Sequence, residues 1–242
     1  MLASSRARIE RELDPEAVVL DIGGWADPFP RADWVVDVMP YESRGLYAQP
    51  PPAGTDPEPE RFSVRTWIRR DACDREPLPF EDDSVDFVIC SHTLEDVRDP
   101  IGVCREIARI GKAGYIEVPS RLEEQSWGVV GPFVGWSHHR WLIDLVGDEL
   151  QFVHKPAALQ ALPGAQIPNA RYRELSDEQK VITLFWEGGF GFRERILFDQ
   201  AEHDAYLAEA PARLGPAPEH PAAAGSTTGG DRGGVRRLLR RS

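Results

Sequence analysis

The sequence predicts a doubly wound α/β fold, and two strand ends with a glycine turn between them carry this prediction. Residues 18–24 read VVLDIGG, an apolar strand that contains Asp21 and leads into Gly23 and Gly24. A second apolar strand ends at Asp37. Glycines allow the backbone to approach a ligand closely, and a carboxylate at the end of the second strand can accept hydrogen bonds from ribose hydroxyls. The pattern indicates a nucleotide or nucleoside site.

The residues after Gly24 argue against a nucleotide that carries phosphates. A dinucleotide site needs G-x-G-x-x-G at the start of a helix, whereas residues 25–28 here read WADP. No G-x-x-x-x-G-K-[ST] occurs in the chain, which excludes a P-loop. S-adenosylmethionine fits this pattern better, because it has ribose hydroxyls and an adenine but no diphosphate.

The stretch 71–119 continues the alternation of strands and helices. Asp71 and Ala72 close a third strand, and residues 85–91 form a buried fourth strand. Asp99 and Pro100 begin a helix as its N-cap and first-turn proline. A fifth strand, YIEVP, ends at Pro119.

This stretch resembles the class I S-adenosylmethionine-dependent methyltransferases of the "methyltransferase type 11" kind, over about residues 15–120. Those proteins carry a run like D-A-x-x-L-P-F-x-D-x-S-F-D-x-V-x-x-x-x-x-L-E-H-V-x-D-P. The residues that match it are Asp71, Ala72, Leu78, Pro79, Phe80, Asp83, Ser84, Asp86, Val88, Leu94, Glu95, Val97, Asp99 and Pro100. The resemblance implies a Rossmann-like sheet of about seven strands whose last strand is antiparallel.

The resemblance also implies S-adenosylmethionine as the cofactor and places its site on particular residues. We expect Asp37 to bind the ribose and Asp71 to contact the adenine. The expected cofactor site consists of Asp21, Gly23, Gly24, Asp37, Asp71, Ala72 and Ser91.

The chain departs from the family pattern at two points. Trp25 and Asp27 stand where later glycines of [DE]-x-G-x-G-x-G are usual, and Asp96 replaces the usual His after Glu95. We expect the first departure to affect the methionine end of the cofactor site and the second to matter little.

Three histidines are candidate catalytic residues. His92 follows the fourth strand, at the sheet edge where open α/β folds bind ligands. His138 and His139 lie in SHHRW, inside a substrate-side insertion predicted over 121–160. A histidine whose pKa lies near neutral pH can act as a general base. If the pair opens a hairpin strand, only one of the two faces the site.

Each histidine also has a structural interpretation. His92 could cap the following helix, and the pair could begin a hairpin with one packed and one exposed ring. A metal site built from His92, His138, His139 and His154 has no motif behind it. The sequence therefore predicts no metal.

The later part of the chain predicts β-structure and then a tail. Residues 141–154 indicate a hairpin around Gly147-Asp148, an insertion after the fifth strand. Residues 181–187 and 191–198 indicate a second antiparallel pair that completes the main sheet.

The Pro-rich segment 47–61 is predicted to be an irregular insertion. We expect a methyltransferase domain over 1–207 and a disordered low-complexity tail over 208–242.

Composition limits the partners and the compartment. The net charge of −12 argues against a nucleic-acid backbone as a substrate, which needs a basic surface. Three cysteines without C-x-x-C spacing indicate a reducing compartment. No run of about 18 apolar residues occurs, so the sequence predicts no membrane span and a cytoplasmic protein. The oligomeric state stays open.

These patterns predict methyl transfer to a small-molecule acceptor, through an oxygen or nitrogen nucleophile of a metabolite, sugar or lipid. Two alternatives remain. The altered glycine motif also suits a catalytically silent relative that binds a ligand or a partner. An NAD-dependent oxidoreductase shares the strand layout but is disfavoured by the missing phosphate-binding glycines.

Overall fold

The computed structural model describes residues 1–47 and 59–215. Its strands are β1 (Val19–Ile22), β2 (Trp34–Asp37), β3 (Trp67–Arg69), β4 (Phe87–Ser91), β5 (Ala113–Pro119), β6 (Trp141–Val146), β7 (Glu149–His154), β8 (Val181–Glu187) and β9 (Gly191–Glu194). Its α-helices are α1 (Ala3–Glu12), α2 (Pro100–Ile110), α3 (Arg121–Glu124), α4 (Asn169–Tyr172), α5 (Asp177–Lys180) and α6 (Gln200–Arg213). Most of the predicted insertion at 47–61 and of the predicted tail lies outside the described residues, at 48–58 and 216–242.

Six strands form the main sheet in the order β3-β2-β1-β4-β5-β8. The first five are parallel, and β8 runs antiparallel to β5. This arrangement confirms the predicted α/β fold with a mostly parallel sheet. The sheet has six strands in the described residues, where about seven were expected.

The missing strand is explained by β9, which does not pair with β8 as the sequence suggested. Gly188 and Gly189 both have positive φ and turn the chain out of the main sheet. β9 then runs parallel to β7 in a separate sheet of order β6-β7-β9. Phe190 and Phe192 pack against the core there, so burial of two aromatic rings favours this alternative.

Helices cover the two faces of the main sheet unequally. On one face, Ile9 of α1 packs with Val19 and Ile89. On the other face, α2 packs against Leu20 and Val88, because successive strand residues point to opposite faces. The connection from β1 to β2, residues 23–33, is fully described and contains no helix.

The sequence signals for α2 match its observed ends. The Asp99 side chain accepts a hydrogen bond from the Gly102 amide at 2.8 Å, with Pro100 in the first turn. The helix ends at Ile110, and Gly111 after it is extended.

β6 and β7 form an antiparallel hairpin through Gly147, which has φ +66°. One face of the hairpin joins the core beside α2, and the other buries Leu142 and Val153 against α6.

The predicted tail start at residue 208 falls inside α6, where Ala210 is buried, so the folded part continues at least to Arg213.

Within the described part of the chain, no helix has the length and apolar character needed to cross a membrane.

Candidate functional site

A cavity of about 660 Å³ lies at the carboxyl ends of the parallel strands. This is the edge at which open α/β sheets bind ligands. The structure brings ten sequence-predicted residues together around it: Asp21, Gly23, Gly24, Asp37, Asp71, Ala72, Ser91, His92, His138 and His139.

The turn after β1 forms one wall of the cavity and depends on its two glycines. Gly23 has φ +78°, and its amide donates a hydrogen bond to the Val36 carbonyl at 2.8 Å. A Cβ on Gly23 would overlap the Thr93 side chain, and a Cβ on Gly24 would overlap the Asp21 carboxylate. Both positions of this cavity-lining turn therefore have room only for glycine, although the later glycines of the family motif are absent.

Asp21 is almost completely buried beneath this turn. Its Oδ2 accepts a hydrogen bond from the Phe29 amide at 2.9 Å. Burial disfavours the charged carboxylate and raises the pKa of Asp21 to about 7, against the weaker effect of that hydrogen bond.

We expect Asp21→Asn to gain stability relative to the unchanged protein as pH rises. Below the unfolded pKa near 4 the carboxyl is protonated in both states, so no ionisation penalty arises. Between about pH 4 and 7 the unfolded state ionises first, and the native protein loses up to a few kcal/mol of stability. Asn cannot ionise and escapes this loss.

Thermal unfolding without ligand at pH 5, 6, 7 and 8 measures this effect. The difference in Tm, variant minus unchanged protein, should grow over this range. A difference that is constant with pH would show that Asp21 is ionised throughout.

Asp37 is the last residue of β2, and Asp71 follows the end of β3. Asp37 accepts backbone hydrogen bonds from Trp25 (3.2 Å) and Met39 (2.8 Å), while partial burial raises its pKa. Asp71 accepts from the Cys73 amide at 2.8 Å and from Arg98. Burial of Asp71 alone would raise its pKa, but these two partners lower it, so Asp71 is a carboxylate at neutral pH.

At the end of β4 and just after it, several buried polar side-chain atoms have no hydrogen bond within the described residues. Ser91 Oγ and both carboxylate oxygens of Glu95 are buried without a hydrogen bond, and Glu95 is 1% exposed. Both residues line the cavity. Buried polar atoms in native proteins are normally paired, so a bound ligand is a natural partner for these atoms.

His92 adopts a strained backbone conformation with φ +52°. Its Nε2 lies 2.9 Å from Glu117 Oε1, and its Nδ1 lies 3.5 Å from Glu95 Oε1. Burial opposes protonation, but the two carboxylates outweigh it and raise the pKa of His92. An imidazolium cannot accept a proton, so this geometry favours a charge partner over the general base that we expected.

His138 and His139 both line the cavity, although alternation along a strand would place only one there. The pair lies in a turn before β6, so strand alternation does not apply. His139 is 7% exposed, stacks on Trp136 and places Nδ1 2.6 Å from Glu124 Oε1. His138 is 59% exposed.

Asp96 is a cavity residue whose role the sequence did not indicate. Its Oδ2 lies 3.9 Å from His138 Nε2, and its Oδ1 lies 3.9 Å from His139 Nε2. The four-histidine set is not assembled, since His92 is bound to Glu117 and His154 packs edge-on against Trp141. Asp96, which replaces the usual His of the family pattern, therefore lies beside both candidate bases, His138 and His139.

Comparisons with known proteins match part of the chain. Residues 54–116 match the family model described as "Methyltransferase domain". No curated protein matches the sequence.

Several solved structures align with about half of the chain. The YcgJ protein from Bacillus subtilis is 26% identical, with 49% of this chain and 52% of that chain covered and a TM-score of 0.35. A methyltransferase from Haloferax volcanii, solved with the Trm112 activator, is 23% identical, with 49% and 57% covered and a TM-score of 0.32. A Mesorhizobium loti S-adenosylmethionine-dependent methyltransferase is 16% identical, with 63% and 65% covered and a TM-score of 0.35. The alignments thus span little more than half of the first two solved chains.

The family match falls within residues 15–120, where the sequence resembles class I S-adenosylmethionine-dependent methyltransferases. The match confirms the predicted resemblance over residues 54–116, about a quarter of the chain.

Proposed function

We propose that the chain transfers a methyl group from S-adenosylmethionine to an oxygen or nitrogen atom of a small-molecule acceptor. The observation that carries this proposal is one cavity at the strand ends. It joins the Gly23-Gly24 turn, the carboxylates of Asp37 and Asp71, and the buried side-chain oxygens of Ser91 and Glu95 that make no hydrogen bond.

The residues present fit S-adenosylmethionine. The glycine turn lines the cavity with backbone and no side chain of its own, and Asp37 and Asp71 are candidates for the ribose and adenine contacts. Each carboxylate oxygen has two lone pairs, so Asp37 can accept from a ribose hydroxyl while it holds its backbone amides.

Charge favours the same ligand. Among the described residues, seven carboxyl side chains line the cavity, against three cationic groups, those of Arg70, His92 and the Met1 amino terminus. This excess of negative charge attracts a ligand that carries a sulfonium and an ammonium group. It repels the diphosphate of NAD, which supports a methyltransferase over the oxidoreductase alternative.

When bound, S-adenosylmethionine supplies an electrophilic methyl group on a sulfur that leaves as a neutral thioether. The chain's own task is therefore to align the acceptor and exclude water. Glu123 and Trp136 of the insertion close the cavity on the acceptor side. A hydroxyl acceptor also needs to lose a proton, and His138 and His139 are the candidate bases.

Calorimetric titration followed by an activity screen tests the proposal. We expect S-adenosylhomocysteine to bind and NAD not to bind. Labelled S-adenosylmethionine is then incubated with hydroxyl- and amine-bearing metabolites, and transfer of the label to one of them is expected. Failure of S-adenosylhomocysteine to bind would overturn the proposal. Binding with no transfer to any acceptor would support the silent, ligand-binding alternative.

Asp37→Ala is expected to weaken S-adenosylhomocysteine binding by about 1–3 kcal/mol, the range for hydrogen bonds that involve a charged group. The matched control is Asp86→Ala. Asp86 also accepts a backbone amide, that of Val18 at 2.8 Å, but it lies at the opposite end of β4. Calorimetry on both variants should show loss of affinity for Asp37→Ala alone. Equal affinity in the two variants would remove Asp37 from the cofactor site.

A further inference from the structure

We propose that Asp96, His138 and His139 bind a divalent transition-metal ion at the acceptor side of the cavity. One ligand atom from each residue lies within 4.8 Å of the other two. The sequence predicted no metal because its histidines follow no ligand spacing. The carboxylate that completes this group comes instead from the loop after β4, 42 and 43 residues before the histidines.

The hydrogen bonds of His139 leave a lone pair directed at Asp96. Glu124 is 1% exposed and is paired with Lys155 Nζ at 2.5 Å, so it is held as a carboxylate that can only accept. His139 Nδ1, 2.6 Å away, must therefore donate to Glu124. The neutral imidazole then carries its lone pair on Nε2.

Nε2 and the Asp96 oxygen face each other without a hydrogen bond. Their separation of 3.9 Å is too long for one, and Asp96 Oδ1 is buried with no partner among the described residues. Two acceptors at this distance repel each other, and a metal ion between them would stabilise both. A carboxylate that holds the far nitrogen of a histidine is the usual second shell of a metal site.

The distances suit a small metal after modest closure. Zn²⁺ bonds to nitrogen and oxygen at about 2.0–2.2 Å, which places tetrahedral ligand atoms about 3.3 Å apart. The two observed separations are 3.9 Å. His139 is held by Glu124 and Trp136, whereas His138 and Asp96 are 59% and 41% exposed and have room to move inward.

The ligand set also indicates which ion is bound and what remains open. Two imidazoles and one carboxylate favour Zn²⁺, Co²⁺, Ni²⁺ or Fe²⁺, while Mg²⁺ and Ca²⁺ favour oxygen ligands. Three protein ligands leave a fourth position open, as in catalytic zinc sites. Glu95 and Glu123, which line the same cavity, add negative charge that stabilises a cation there.

If the proposed methyltransferase function holds, the open position selects an acceptor with a hydroxyl oxygen. A bound divalent ion lowers the pKa of an oxygen ligand, as it does for water. The histidines then act through the metal and not as bases. Transfer forms a carbon–oxygen bond and breaks the carbon–sulfur bond. Both electrons of the broken bond stay on sulfur, and the hydroxyl proton passes to solvent.

Titration of the full, EDTA-treated chain with Zn²⁺ and Co²⁺ tests the site without any need for activity. We expect one equivalent to bind, a visible Co²⁺ absorption band without a thiolate charge-transfer band, and no binding of Mg²⁺. Asp96→Asn and His138→Ala, both at partly exposed positions, should each weaken Zn²⁺ binding at least tenfold. His154→Ala, outside the cluster, is the control and should bind like the unchanged chain.

Three results would overturn the proposal: no Zn²⁺ binding, unchanged affinity in both Asp96→Asn and His138→Ala, or a thiolate band that places the ion on a cysteine. Circular dichroism confirms that each variant is folded. S-adenosylhomocysteine is titrated separately into the metal-free chain. Loss of the metal site with retained nucleoside binding contradicts only this inference, whereas the reverse contradicts only the proposed function.

Discussion

Gly23→Ala is expected to abolish S-adenosylhomocysteine binding and to destabilise the fold. The residue has φ +78°, a region that costs an alanine roughly 1–2 kcal/mol. Its new Cβ would also overlap the Thr93 side chain, which contacts the Ile22 carbonyl through its hydroxyl. The backbone cannot retreat easily, because the Gly23 amide is bonded to Val36 across the sheet. The turn must shift, and the cavity wall shifts with it.

Gly147→Ala separates backbone strain from the overlap. Gly147 has a similar φ of +66°, but no described atom lies within 4 Å of the position that its Cβ would take. This control should lose about 1–2 kcal/mol of stability and retain full binding. Thermal unfolding and calorimetry on both variants make the comparison. If Gly23→Ala binds S-adenosylhomocysteine as well as Gly147→Ala does, the turn does not border the cofactor.

The sequence could predict this part of the cavity because parallel strands share one carboxyl edge. Asp21, Asp37, Asp71 and Ser91 each lie at or just after the end of an apolar run. Once those runs are recognised as neighbouring parallel strands, the side chains at their ends must meet. No knowledge of loop paths is needed.

The acceptor side could not be predicted in this way. Asp96 meets His138 and His139 only because the loop over 125–140 returns to the end of β4, and no local spacing encodes that return. The positive φ of His92 and its contact with Glu117 on the adjacent strand β5 could not be predicted either, because no local pattern encodes them. The β8–β9 prediction was wrong for a related reason. The short connection between β8 and β9 favours an antiparallel pair, but burial of Phe190 and Phe192 favours pairing of β9 with β7 instead.

A buried arginine joins the acceptor-side insertion to α6. No sequence pattern predicted its burial. Arg121 in α3 is 1% exposed. Its guanidinium contacts Asp144 of β6 at 3.2 Å and Glu209 of α6 at 3.1 Å, and it donates to the Tyr206 carbonyl. A single side chain therefore connects the start of the insertion, the hairpin and the last described helix.

Arg121→Ala is expected to destabilise the protein by about 3–5 kcal/mol, because it leaves Asp144 without its main buried partner. For a chain of this size, that corresponds to a drop in Tm of roughly 6–20 °C. Tyr206 also donates to Asp144 at 2.8 Å, which places the expected loss toward the lower end of the range. Thermal unfolding measures it directly.

The matched control is Arg193→Ala in β9. Arg193 pairs with Glu149 at 2.8 Å but is 58% exposed, so solvent screens the pair and its loss should cost at most about 1 kcal/mol. Arg121→Met adds a second comparison, since it keeps much of the packing over the Tyr206 ring and removes the charge together with its hydrogen bonds. If Met unfolds as early as Ala, loss of the ion pairs and hydrogen bonds of the guanidinium is the cause. If Met restores most of the stability, packing is the cause. A Tm for Arg121→Ala equal to that of Arg193→Ala would show that α6 is held by its apolar contacts, Tyr206 and Leu207, and not by this ion pair.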